Sequence, residues 1–186
     1  MLLVGGGSTR FGSPKALARF RGETLAERGW RVLGEACDER LAVGKGKPPL
    51  PFPVLDDGAE LRAPIVGVIA GLRAAAHEAV VFLPVDCPLV GAELLRALGD
   101  ARAVPQTGPL PGAYTKTDLP ELERRLAAGE FSLRGVNRTV LQLDERLLAN
   151  ANTKAELSAL EQDLAALDHE RPGLAVHEQA SVPVDP

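Results

Sequence analysis

The run Ala79-Val80-Val81-Phe82-Leu83-Pro84-Val85 is almost unbrokenly apolar and stops on a carboxylate, Asp86. A strand with one wet face alternates apolar and polar side chains, whereas a strand covered on both faces has no need to. This run therefore predicts a central parallel strand buried between layers of helix. Its neighbours in sequence agree. Leu2-Leu3-Val4, Leu41-Ala42-Val43 and Phe52-Pro53-Val54-Leu55 are short apolar segments of strand character. Between the first two, Thr24-Leu25-Ala26-Glu27 has the spacing of a capping box. Leu25, Gly29, Val32, Leu33 and Ala36 then repeat at helical spacing, with Gly29 allowing a close approach. Alternating strands and helices build right-handed βαβ units. The expected class is α/β, a three-layer sandwich around a Rossmann-like, mostly parallel sheet.

The remaining pattern predicts a helix beginning near Lys15 and a loop over 44–53. Further helices are expected from about 64 to 76, over 92–98, over 119–128 and over 153–167. Strands are expected at 102–105, 112–115 and 140–143. A hydrophobic content of 45% over 186 residues is ample for one core. The expected organisation is one domain over 1–169 and a mobile tail over 170–186, where periodicity gives way to Pro, Glu, His, Ser and Asp.

Residues 5–15 read GGGSTRFGSPK, between the first strand and the expected helix. A strand, a glycine loop and a helix start can turn several backbone N–H groups toward one phosphate. Arg10 offers a planar fork of donors and Lys15 a mobile point charge, both suited to phosphate oxygens. The spacing is not a Walker loop, because Gly7 and Gly12 are followed by Ser13-Pro14-Lys15 rather than GK and a hydroxyl residue. It is not GxGxxG either, since the sixth residue from Gly5 is Arg10. A plain glycine-rich turn is the competing reading, against which stand the two cations of the loop.

Ligands of open α/β sheets gather at the carboxyl ends of the strands. The glycine loop, Asp57 after Val54-Leu55, and Asp86 after the buried run all fall there. Phosphate donors converging with a carboxylate suggest a nucleoside triphosphate and Mg²⁺, a hard cation that takes one or two carboxylates plus phosphate oxygens and water. Asp86 could instead cap the next turn, and Asp57 could be an exposed turn carboxylate.

At these residues the chain resembles the nucleotidyltransferases related to molybdenum cofactor guanylyltransferase. Residues 3–17, LVGGGSTRFGSPKAL, follow that family's pattern L-A-G-G-x-S-x-R-M-G-x-D-K-A-L, with Val4 for Ala and Pro14 for Asp. Phe82-Leu83-Pro84-Val85-Asp86-Cys87-Pro88-Leu89 resembles the segment whose Asp holds the metal. Val54-Leu55-Asp56-Asp57, followed by Ala63-Pro64-Ile65-Val66-Gly67-Val68, resembles V-x-x-D and G-P-L-A-G-I without the first Gly. Asn150-Ala151-Asn152-Thr153-Lys154-Ala155-Glu156-Leu157 resembles N-x-N-T-P-E-D-L. A further family Asn has no counterpart, because the matching region reads Val43-Gly44-Lys45-Gly46.

The resemblance implies a sheet of the nucleotide-diphospho-sugar transferase type and transfer of GMP from GTP to the phosphate of molybdopterin, with release of pyrophosphate. It implies that Leu3, Val4, Gly5, Gly6, Gly7, Lys15, Asp57 and Asp86 hold the nucleotide. Arg10, Lys15 and Asp86 would serve catalysis, and Asp86 with Asn152 would hold Mg²⁺. Asn152 reads equally as the N-cap of the last helix. The Gly5-Gly6 pair favours guanine over the cytosine of relatives with L-A-A-G. Three alternatives stay open: a cytidylyl or other nucleotidyl transferase, a catalytically silent nucleotide-binding or regulatory protein, and a protein that delivers cofactor to molybdoenzyme partners.

Composition narrows the classes further. Aromatic residues make up 4% of the chain and the formal net charge is −4. Neither stacking platforms nor a basic footprint for nucleic acid is available. Cys37 and Cys87 form no zinc spacing, and no stretch has the roughly 18 apolar residues of a membrane span. A cytoplasmic protein that works neither on nucleic acid nor in a membrane is expected.

Overall fold

The computed structural model describes residues 1–5, 14–45 and 49–170. Five strands form the main sheet: β1 (Leu2–Leu3), β4 (Ala42–Gly44), β5 (Val54–Asp56), β6 (Ala79–Pro84) and β8 (Gly112–Thr115). Their order is β5-β4-β1-β6-β8. All neighbours are parallel except β8, which runs antiparallel to β6 with Val81 opposite Ala113.

The apolar run is β6, buried at Val80, Val81, Phe82 and Leu83. Successive side chains of a strand point to opposite faces, and the core divides accordingly. Leu2, Ala42, Val81 and Leu83 face one core, shared with Leu25, Val32 and Leu33 of α1 (Leu25–Ala36) and Leu94, Leu95 and Leu98 of α3 (Ala92–Ala101). Leu3, Val43, Val80 and Phe82 face the other. That second core is filled by α2 (Pro64–Ala74), buried on nearly every side, and by Leu122 of α4 (Leu119–Ala127). Helices therefore cover both faces of the sheet, which is the three-layer arrangement expected.

Close packing depends on glycines at two helix positions. A Cβ on Gly29 of α1 would lie 2.6 Å from Leu2 Cδ1, and one on Gly71 of α2 would lie 2.6 Å from Phe82 Cε1. The Thr24–Glu27 capping box is present, with the Glu27 N–H donating to Thr24 Oγ1 and the Thr24 N–H to Glu27 Oε2.

One local expectation fails. Lys15 does not begin a helix: residues Lys15–Leu17 form a single 3-10 turn, followed by a hairpin of β2 (Arg19–Phe20) and β3 (Glu23–Thr24). Ala18 is already extended, and Arg21 and Gly22 both take positive φ (50° and 87°). Two consecutive left-handed residues make the tight turn that joins antiparallel strands. The hairpin puts Phe20 fully in the core under Arg28, whose guanidinium lies 5.3 Å from the ring centre.

Smaller differences lie at the C-terminal half. β9 (Val140–Leu141) pairs in parallel with β7 (Val104–Pro105) in a separate two-stranded sheet. Beyond Leu141 the Gln106 side chain replaces the ladder, donating to Leu143 O and accepting from its N–H. The last helix, α5 (Lys154–Glu170), runs slightly past the expected end. Of the tail expected over 170–186, Glu170 still belongs to α5 and 171–186 lie outside the described residues. No helix among the described residues is long and apolar enough to cross a membrane.

Candidate active site

The carboxyl ends of β1, β4, β5 and β6 lie side by side at one edge of the sheet. β6 delivers Asp86 there, two residues past Pro84. A second approach comes from the far end of the chain. A 3-10 turn at Glu145–Leu148 buries Leu148, Ala151 is wholly buried, and the Ala151 N–H donates to Asp86 O at 2.8 Å. That backbone bond sets Asn152 beside Asp86.

Lys15 reaches into the gap between them. Its Nζ lies 2.9 Å from Asp86 Oδ2 and 3.1 Å from Asn152 Oδ1, across sequence separations of 71 and 137 residues. The Lys15 and Asp86 side chains are 16% and 24% exposed, so the pair is partly withdrawn from solvent. The last helix is capped by Thr153 and not by Asn152, for which capping was one of two readings. Thr153 Oγ1 accepts from the Glu156 N–H, while the Thr153 and Asn152 N–H groups both donate to Glu156 Oε2. Thr153 performs the cap and leaves the Asn152 amide oxygen turned toward Lys15, which removes the N-cap reading of Asn152.

The other side of β1 carries a second pair. Lys45, just past β4, places Nζ 3.3 Å from Asp57 Oδ1, and the same oxygen accepts the Ala59 N–H at 3.2 Å. Gly44 makes this corner tight: a Cβ there would lie 2.7 Å from Gly5 N and 2.8 Å from Val4 Cγ2. No side chain fits at 44 on this backbone, so the first side chain able to donate hydrogen bonds after β4 belongs to Lys45. Sequence reasoning noted the missing Asn of this region but gave Lys45 no role. A lysine directly after a glycine at a strand end was the available signal.

The residues implied at the end of β1 differ in what they expose. Leu3 is a core side chain whose carbonyl accepts the Val85 N–H, and the Val4 N–H donates to Val43 O. Gly5 is the first exposed residue. Gly6, Gly7 and Arg10 lie outside the described residues.

The donor set near Lys15 fits a hard divalent cation. Asp86 Oδ2 and Asn152 Oδ1, both within 3.1 Å of Lys15 Nζ, are hard oxygen donors of the kind Mg²⁺ takes together with phosphate and water. Among the described residues no group of three or more His, Cys, Asp or Glu forms an all-protein cage. Cys87, beside Asp86, is buried. Burial first, and then the neighbouring carboxylate, push its thiol well above the usual range, so the reactive thiolate is scarce.

Comparison with known proteins gives the family and the fold. Residues 1–166 match the family described as the MobA-like NTP transferase domain. A molybdenum cofactor guanylyltransferase of Pseudomonas putida is 33% identical over 180 residues, spanning 84% of this chain and 94% of that protein. Two solved structures share the fold. Molybdopterin-guanine dinucleotide biosynthesis protein A from Archaeoglobus fulgidus superposes with a TM-score of 0.69 at 22% identity, over 89% of this chain and 97% of that one. The 2-C-methyl-D-erythritol 4-phosphate cytidylyltransferase of Thermus thermophilus gives 0.63 at 16% identity, over 88% and 97%. The architecture is thus that of the nucleotide-diphospho-sugar transferases. With the match running from β1 into the last helix, the chain belongs to the MobA-like NTP transferase domain family.

Proposed function

We propose that this protein transfers GMP from GTP to the terminal phosphate of molybdopterin, with Mg²⁺ at Asp86 and Asn152. The observation that carries the reading is the convergence of Lys15, Asp86 and Asn152 at the end of the buried strand. In the reaction an oxygen of the acceptor phosphate attacks the α-phosphorus of GTP. A new phosphoanhydride bond forms, the bond from the α-phosphorus to the bridging oxygen breaks, and pyrophosphate leaves with that electron pair. No proton has to move when the attacking phosphate oxygen is already ionised, so the protein's task is alignment and charge stabilisation.

Lys15 has the reach and charge to stabilise the α-phosphate oxygens as charge builds on them. Arg10 and the loop amides of Gly5, Gly6 and Gly7 are assigned to the β- and γ-phosphates, and Asp57 to the nucleoside. Mg²⁺ would supply charge neutralisation to phosphate oxygens held against Asp86 and Asn152. The dinucleotide product would pass to molybdoenzyme partners. A cytoplasmic setting goes with free thiols at Cys37 and Cys87.

The experiment is an assay with molybdopterin, Mg²⁺ and each of GTP, CTP, ATP and UTP, following pyrophosphate release and identifying the product by mass. GTP-dependent formation of the guanine dinucleotide is expected. Preference for CTP would make the protein a cytidylyl transferase, and no turnover with any nucleotide would sink the enzymatic reading.

A further inference from the structure

The Lys45–Asp57 pair stands apart from the reacting centre, at the ends of β4 and β5. Neighbouring strands lie roughly 4.8 Å apart, so two to three strand spacings separate it from Asp86 at the end of β6, on the order of 10 to 14 Å. That is the scale of a nucleotide from its α-phosphate to its base. Gly44 packs against Gly5, so Lys45 sits beside the end of β1.

The pair is also arranged to meet an uncharged ring. Its side chains are only 19% and 9% exposed. Both polar contacts of Asp57, from Lys45 and from the Ala59 N–H, fall on Oδ1. Oδ2 has no partner among the described residues, and an ammonium carries three donors of which one ion pair uses one. A free donor therefore sits beside a free acceptor, with the charges of the two groups balanced. Guanine presents an acceptor at O6 where adenine and cytosine present an amino donor.

We propose that Lys45 is a specificity-determining residue of the nucleotide site: its ammonium, steadied by Asp57, donates to the 6-oxo oxygen of a purine base. The inference rests on the guanylyl-transfer reading above. Lys45 selects 6-oxo over 6-amino purines, because an amino group at that position would face the ammonium donor to donor.

Calorimetric titration of wild-type protein and Lys45→Met with GTP, ITP and ATP, each with Mg²⁺, separates the two claims. ITP keeps the 6-oxo group and lacks the 2-amino group. Wild-type protein that binds none of the three would overturn the guanylyl-transfer reading on which the inference rests. With wild-type binding established, Lys45→Met should weaken GTP and ITP alike by about tenfold or more, the weight of a hydrogen bond to a charged group, and leave ATP no weaker, because the donor that opposes its 6-amino group is gone. Equal losses for all three nucleotides would place the ammonium on ribose or phosphate and overturn the inference. Unchanged binding would reduce the pair to a structural bridge and overturn it too. Should Lys45→Met fail to fold, Lys45→Gln carries the test: it keeps a neutral donor, so preference for GTP over ATP should fall only partway. Full wild-type preference or a uniform loss in that variant would refute the assignment.

Discussion

Lys15 and Lys45 each meet an aspartate at the carboxyl edge of the sheet, on opposite sides of β1. Lys15 is shared between a carboxylate and an amide oxygen brought from distant parts of the chain, at 2.9 and 3.1 Å. Lys45 faces one carboxylate oxygen at 3.3 Å, just past the neighbouring strand, and that oxygen is already engaged by a backbone N–H. The first arrangement sets a charged carboxylate and an amide oxygen against one cation, hard oxygen donors of the kind a divalent cation takes beside phosphate. The second is a balanced donor and acceptor, better matched to the polar edge of a neutral ring. Similar ingredients thus suit different chemistry according to which partners the fold sets around each cation.

The largest expected effect separates the two pairs by catalytic rate. Asp86→Asn keeps the size of the side chain but removes the charge a hard cation requires. Its kcat should fall about 1,000-fold or more, on the scale of losing a principal transition-state contact, while the melting temperature stays nearly unchanged. Rates measured across a Mg²⁺ titration decide this, and near-normal turnover would end the proposed metal role. Lys15→Ala should cost about 100-fold in kcat, as for one lost electrostatic contact to the transition state. If Lys45→Met lowered kcat equally, the contrast between the pairs would collapse.

Asp57→Asn should act on the other kinetic constant. KM for GTP should rise about tenfold with kcat little altered, the pattern of binding lost equally in ground and transition states. Steady-state kinetics over a wide GTP range separate these constants, and a fall in kcat alone would move Asp57 to the reacting centre. Gly44→Ala tests the corner that joins the two sides. Its Cβ would meet backbone at 2.7 Å, and strain of this kind costs about 1–3 kcal/mol, readable as a lower urea midpoint. An unchanged midpoint would show that the β1 and β4 loops part easily.

The smallest effect concerns the cysteines. Burial raises both thiols, more strongly at Cys87 with Asp86 beside it. At pH 8 iodoacetamide should therefore modify half-buried Cys37 first, with mass mapping as the readout. Faster reaction at Cys87 would mean that the end of β6 opens in solution.

Much of the architecture was legible because it is written in short windows. The unbroken apolar run announced β6, the Thr24–Glu27 spacing announced the start of α1, and Asp86 and Asp57 were marked as carboxylates at strand ends. Lys15 was identified from the glycine-loop pattern, but the helix expected after it was not there. Positive φ at Arg21 and Gly22 turned those residues into a hairpin instead, a choice that apolar spacing does not reveal. The cap of α5 was ambiguous for a related reason. Asn152 and Thr153 are both good capping residues, and only the positions of Glu156 and Lys15 settle which one caps and which one faces the site.

By itself, then, the sequence determined the layered α/β class, the strand that ends at the site and the residue types that could serve it, since burial on two faces and capping act over a few neighbours. The tertiary structure decided the partnerships. Lys15 meets Asn152 across 137 residues, Gly5 meets Gly44 across a strand boundary, and Lys45 meets Asp57 across adjacent strands. Such contacts exist only once the sheet has stacked its strand ends along one edge, because no local periodicity carries the distance between residues that lie far apart along the chain.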